Sequence, residues 1–200
     1  MRLIGKPTSI NVRKVLWTCA AIGLPATPEP WGSEHPELLA INPNNMVPVL
    51  VDDGSALWES NTICRYLAGK HGRADLLPAE PMARAQVEKW MDWQATELNN
   101  AWRHAFMGLV RGHPAYADSA AIAASAANWN RHMALLDRQL DGRAYAAGER
   151  FTLADVVLGL STNRWLSTPI ERPPLPHVAA WYARLAAQAG FAEHCANGVP

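Results

Sequence analysis

The sequence is poor in residues that staple, charge or anchor a chain. Its 200 residues hold three cysteines, Cys19, Cys64 and Cys195, with no C-x-x-C pair. An odd, sparse set argues against a disulfide framework and a dithiol redox motif. Charge of either sign is not in excess: Lys+Arg and Asp+Glu number 18 each. The balance is also local, with seven basic and seven acidic residues in 1–78 and eleven of each in 79–200. A nucleic-acid partner is not expected, because phosphate binding needs a positive surface. No segment has the length of a membrane span, and the start, MRLIGKPTSI, lacks the long apolar run of a signal peptide. A soluble cytoplasmic protein with no membrane partner is the expectation. The seven histidines are dispersed, without H-E-x-x-H or a Cys/His cluster, so no metal is expected. A phosphate-cradling glycine loop and a G-x-S-x-G elbow are also missing.

Apolar residues make up 49% and charged residues 18%, enough for a sizeable core. The length suits one compact unit or two small units sharing an interface. Composition changes near residue 80. Residues 1–78 carry short apolar runs broken by Pro, Gly and Asn, whereas 82–195 carry long Ala-rich helical patterns. Residues 79–81, inside Leu77-Pro78-Ala79-Glu80-Pro81, read as the linker.

In the first half, Leu3-Ile4 reads as a strand and Asn11 to Ala21 as a helix ended by Gly23 and Pro25. Ala26 to Pro30 reads as a second strand, at a sheet edge because Pro28 cannot donate to a ladder. Pro36 to Ile41 is at most a short helix. Val47 to Val51 and Ser55 to Trp58 read as strands joined by Asp52-Asp53-Gly54, a hairpin signal, and Ser60 to Lys70 as a helix. The order β-α-β-α-β-β-α is that of a thioredoxin-like domain. The second half reads as all-helical, over 82–111, 118–141, 152–166 and 176–188, from apolar spacings of three and four. The fold class is therefore α/β plus all-α.

Four places carry possible chemistry. Ser9 and Asn11 lie between the first strand and first helix, where a hydroxyl and the helix start suit a thiolate; the plainer reading is a helix cap. Pro48, in Met46-Val47-Pro48-Val49, enters a strand, where a cis bond would turn the Val47 backbone toward a peptide-like ligand; an ordinary trans proline is the commoner case. Ser60, after Glu59, offers a hydroxyl and amides to a carboxylate, or simply an N-cap. Thr152 and Asp155 have capping-box spacing, with Phe151 and Val156 placed as the hydrophobic staple, and read as structural.

Together, in this order and at these distances, the four places resemble the cytosolic glutathione S-transferase family over essentially the whole chain. The most specific pieces are Asn42-Pro43-Asn44-Asn45-Met46-Val47-Pro48-Val49-Leu50, Glu59-Ser60 and Phe151-Thr152-Leu153-Ala154-Asp155. The resemblance implies a glutathione-binding domain in 1–78 and a helical domain in 82–200. It makes Pro48 the family's cis-proline, with the Val47 backbone pairing the cysteinyl part of glutathione. Glu59 and Ser60 would bind the γ-glutamyl group, and His35 would meet the glycyl carboxylate. Ser9 matches the hydroxyl of serine-type members, which often have proline two residues later, where this chain has Asn11. A bacterial group has Thr-Pro-Asn here, so Asn11 stands beside Ser9 as a second donor to sulfur. Asn45 sits where glycine is common and tolerates the left-handed backbone. Cys19 is too far past Ser9 to be the family's catalytic cysteine.

The activity so implied is conjugation of glutathione, as co-substrate and thiolate, to an apolar electrophile. Trp102, Arg103, Phe106, Met107 and Trp165 are the expected lining of the electrophile site, each with core packing as the alternative. A homodimer is implied, with Glu97 or Asn100 reaching across it. The rival readings are a glutathione-dependent peroxidase or disulfide reductase, and a non-catalytic interaction protein that kept the fold.

Overall fold

The computed structural model describes residues 1–30 and 37–200, with the side chain of Glu37 left aside. His35 lies outside the described residues. The elements run β1 Arg2–Ile4, α1 Ile10–Ile22, β2 Pro28–Glu29, α2 Glu37–Ile41, β3 Val49–Asp52, β4 Ser55–Trp58, α3 Ser60–Lys70, α4 Pro81–Trp93, α5 Asn99–Leu109, α6 Ser119–Leu140, α7 Leu153–Ser167 and α8 Pro176–Leu185. This is a thioredoxin-like half followed by a helical half.

The four strands lie in the order β2-β1-β3-β4, with β1 parallel to β2 and antiparallel to β3. Pro28 is at the edge, as its missing N–H requires. Alternation along the strands divides the core. Leu3 and Leu50 enter the larger cluster beside α1 and α3, while Ile4 and Val49 pack on Leu38 of α2. Asp52 pairs with Ser55 across a two-residue turn, and Asp53 and Gly54 have φ of 49° and 78°. Positive φ at both positions is the primed turn that matches strand twist.

Helix boundaries fall close to the periodic segments, with three differences. β3 begins at Val49 because the segment before it is shaped by Pro48 rather than paired. Pro81 is not linker: it opens α4, where its missing N–H costs nothing, and the Glu80 carboxylate accepts the N–H groups of Met82 and Ala83. The segment 82–111 is not one regular helix. Residues Gln94–Leu98 widen into a π-helical turn between α4 and α5, leaving Glu97 exposed and Leu109 39% exposed. On one side of it α4 packs on α7, and on the other α5 packs on α6.

α7 is buried from Leu153 to Trp165 and so needs no polar face. It joins the halves into one apolar cluster with Val15, Trp17 and Leu67. Trp17 also donates its indole N–H to the Ala189 carbonyl at 3.0 Å. Gly159 permits the close approach, since a Cβ there would lie 2.9 Å from Leu185 and 3.0 Å from the Trp17 ring. At the start of α7 the Asp155 carboxylate accepts the N–H of Thr152 and of Ala146, both at 2.9 Å, the Thr152 hydroxyl at 3.0 Å and the Trp181 indole N–H at 2.8 Å. Burial pushes this carboxyl above its ordinary range, and the donors oppose that.

Candidate active site

The peptide bond between Val47 and Pro48 is cis. Among the described residues, the Val47 backbone makes no hydrogen bond to another backbone group. The preceding turn is held by Asn42, which is buried. Its Nδ2 donates to the Met46 carbonyl at 2.8 Å and its Oδ1 accepts the Asn44 N–H at 3.0 Å. Asn45 takes φ 49°, the left-handed conformation that asparagine tolerates.

On the facing wall β4 turns into α3. Glu59 is the N-cap, with φ 70° and ψ 109° and no side-chain capping bond. A non-glycine residue in that sparsely populated region stores strain, and such residues concentrate at binding sites. Ser60 opens the helix and is buried, with Oγ donating to Asn11 Oδ1 at 3.4 Å. Asn11 itself lines the hollow, and its Oδ1 contact with Ser60 is its one side-chain hydrogen bond among the described residues.

Asn11, Val47, Pro48, Glu59 and Ser60, with Asn42, Asn44 and Met46, line one hollow of about 290 Å³. Ser9 is absent from that lining. It occupies the N-cap position of α1 yet makes no side-chain capping bond, so its hydroxyl is not committed to the helix. Behind Ser60, the buried ammonium of Lys14 donates to Gln94 Oε1 at 2.7 Å and Asn61 Oδ1 at 3.3 Å. Burial lowers Lys14 to about 8. Gln94 passes the contact on to Ser161 of α7, and Asn61 to the Met91 carbonyl of α4. The wall of the hollow is thus tied to the helical half by buried polar groups as well as by the apolar cluster around α7. Periodicity could not have found this network, because Lys14 and Gln94 are residue types usually solvated.

The cysteines take no part in the hollow. All three are buried and free, and burial pushes Cys19 and Cys195 up to about 12 and Cys64 to about 11. Among the described residues no group of His, Cys, Asp or Glu could hold a metal ion, and no helix is long and apolar enough to cross a membrane.

The expected electrophile lining is only partly brought together. Trp102 and Phe106 meet edge to face, with centroids 5.4 Å apart, and Met107 beside them is half-buried. Arg103 is exposed. Trp165 stands apart: its indole N–H donates to Asn130 at 2.9 Å, and it lines a separate apolar hollow with Leu166 and Tyr182.

The sequence profile of the glutathione S-transferase N-terminal domain matches residues 3–75, and that of the C-terminal domain matches residues 100–189. Glutathione S-transferase GstB of Escherichia coli strain K12 is 39% identical over 190 residues, 92% of this chain and 91% of that protein. The chain belongs to the glutathione S-transferase family. Among other glutathione S-transferases, number 3 of Zea mays is 33% identical over 207 residues, 96% of this chain and 91% of its own. The theta class glutathione S-transferase of the citrus canker pathogen Xanthomonas axonopodis pv. citri, solved with glutathione bound, superposes with a TM-score of 0.89 at 38% identity. That match covers 97% of this chain and 96% of the other. A delta-class glutathione transferase of Nilaparvata lugens gives 0.87 at 27% identity, covering 99% and 94%.

Proposed function

We propose that this glutathione S-transferase binds glutathione in the hollow between the Val47–Pro48 turn and the start of α3, and activates its thiol as thiolate for attack on an apolar electrophile. The observation that carries the reading is the convergence of the Val47 backbone, Glu59, Ser60 and Asn11 on one hollow. A tripeptide with two carboxylates, an amine and backbone amides needs such a mixture of groups. The Val47 N–H and C=O pair the cysteinyl backbone. Ser60 Oγ and the first amides of α3 take the γ-glutamyl carboxylate, where the helix dipole favours negative charge. Glu59 takes the amine.

A free thiol with a pKa of about 8.5 is only about 3% ionised at pH 7. Lowering it by about two units needs about 2.7 kcal/mol of preference for the thiolate. One hydrogen bond to the charged sulfur supplies about 1.5–3 kcal/mol, and the start of α1 adds about 0.3–1 kcal/mol. The sulfur therefore needs a donor, not a base. Asn11 Nδ2 is that donor on this reading, with the Ser9 hydroxyl as the second. The electrophile approaches from Trp102 and Phe106. The protein works as a cytoplasmic homodimer, for which the exposure of Glu97 and Asn100 leaves both residues free to face a partner; a monomer by light scattering would remove this part.

The test is calorimetric titration of the purified protein with reduced glutathione at neutral pH. Saturable binding in the wild type, lost in Ser60→Ala, supports the reading. No binding up to several millimolar sinks it and favours a non-catalytic interaction protein.

A further inference from the structure

We infer that Lys14 supplies the counter-charge for the γ-glutamyl carboxylate from behind the start of α3; this rests on the glutathione-binding reading above and makes Lys14 a positioning residue. Lys14 is the next residue inward from both walls of the hollow. On α1 it lies three positions past Asn11, on the same face. On α3 its Nζ donates to Asn61 Oδ1 at 3.3 Å, and Asn61 follows Ser60. Asn11 and Ser60 both line the hollow and bond each other at 3.4 Å. The ammonium therefore stands behind the place where the first turn of α3 would receive a carboxylate.

Lys14 is 1% exposed, and its hydrogen-bond partners are two neutral amide oxygens, those of Gln94 and Asn61. No Asp or Glu side chain among the described residues forms an ion pair with it. Amide oxygens solvate a buried cation without neutralising it, and a buried charge left unpaired is costly. Burial is accordingly the main cause that lowers Lys14 to about 8. Cys64 of α3 and Glu59 before that helix favour its charge, and Arg164 of α7 opposes it. The π-helical turn faces it with the neutral Gln94.

A carboxylate arriving at Ser60 brings the opposite charge that this ammonium lacks. Ser60 and the first amides of α3 hold the carboxylate directly, and Lys14 acts on it through the helix start without touching it. The attraction favours the charged form of Lys14. Binding is therefore linked to protonation: in weak alkali, where the free protein has shed this proton, the complex takes one back. A Lys14 that served only to join α1, α3 and the π-helical turn would show no such linkage.

S-methylglutathione tests this, because it has the γ-glutamyl carboxylate and no thiol to titrate. Its dissociation constants for the wild type and Lys14→Met are measured by calorimetry from about pH 7 to about pH 10. Near about pH 7 the wild type should bind about tenfold more tightly, the effect of one opposite charge within about 10 Å at an effective dielectric of about 20. As Lys14 loses its proton, that advantage should shrink to about twofold near about pH 9 and vanish near about pH 10. Titrations in buffers of different ionisation enthalpy should show the wild type taking up about half a proton more than the variant near about pH 8.5. Lys14→Arg, which keeps the charge, should hold its advantage at about pH 9. Equal affinities, or a difference that ignores pH and brings no extra proton uptake, overturn the role of Lys14 and leave the glutathione reading standing. Failure to bind both S-methylglutathione and glutathione overturns both readings together. If Lys14→Met does not fold, S-methyl-N-glutarylcysteinylglycine decides. It keeps the carboxylate and has no group that titrates in weak alkali, so proton uptake by the wild type supports the inference and its absence overturns it.

Discussion

Replacing Asn11 with alanine separates the two candidate donors to sulfur. Asn11 lines the hollow and holds its Oδ1 toward Ser60, whereas Ser9 is outside the lining. Removing one donor to a charged acceptor loses about 1.5–3 kcal/mol. At 1.36 kcal/mol per pKa unit, the bound thiol should rise by about 1–2 units. If the wild-type thiol sits near about 6.5, a rise of about 1.5 units takes the thiolate at that pH from one half to about 3%. Turnover with an aryl halide should then fall about fifteenfold in weak acid and recover toward the wild-type rate well above about pH 9. The assay is the pH profile of kcat at saturating glutathione, paired with the ultraviolet absorbance of the bound thiolate against pH. Ser9→Ala should move the same profile by less. A profile that shifts with Ser9→Ala and stays fixed in Asn11→Ala would refute the reasoning.

Asp155→Ala strands three N–H donors and a hydroxyl at the head of α7, all four of which bond that carboxylate. A loss of about 3–5 kcal/mol follows, or at least about 6 °C in calorimetric Tm; a change under 2 °C would contradict it. Lys14 is lowered from 10.5 to about 8, so between those values the unfolded chain holds a proton that the folded one has shed. Its burial penalty of about 3 kcal/mol is present below the folded pKa and disappears as pH rises to the unfolded one. Urea unfolding should show the wild type gaining about that much relative to Lys14→Met between about pH 7 and 10.5; parallel curves would show that the ammonium is not destabilised. Glu59→Gly relieves the positive φ and should leave Tm unchanged or slightly raised, while weakening glutathione about tenfold by loss of the amine partner. A fall in Tm with unchanged affinity would give Glu59 a structural role instead.

The sequence carried the elements with strong local chemistry. The Asp53-Gly54 turn, the edge position of Pro28 and the cap of α7 each follow from a residue whose backbone or donor count leaves few choices. The hollow's residues were also legible, because Pro48, Glu59 and Ser60 lie at element boundaries. Contacts between distant segments were not. That Ser60 addresses Asn11 across 49 positions, or that Lys14 lies buried against Gln94 across 80, depends on packing with no periodic signature. That the Trp165 ring lies away from Trp102 and Phe106 was hidden for the same reason: its spacing marks it as buried without saying on which side of α7 the ring lies.

The wide turn at Gln94–Leu98 fixes the phase of everything after it. One extra residue within a helix rotates each later side chain by about 100° around the axis. α4 and α5 can therefore share a nearly common line yet address different neighbours, α7 and α6, and still bring Trp102 and Phe106 to Arg164. Loss of a single codon within 95–97 would leave a regular helix, and a foldable one by local propensity, with its aromatic pair aimed elsewhere. If the electrophile meets Trp102 and Phe106 as proposed, the reading frame of this helix helps to set substrate choice, and one-residue insertions or deletions here should alter it more than most substitutions do.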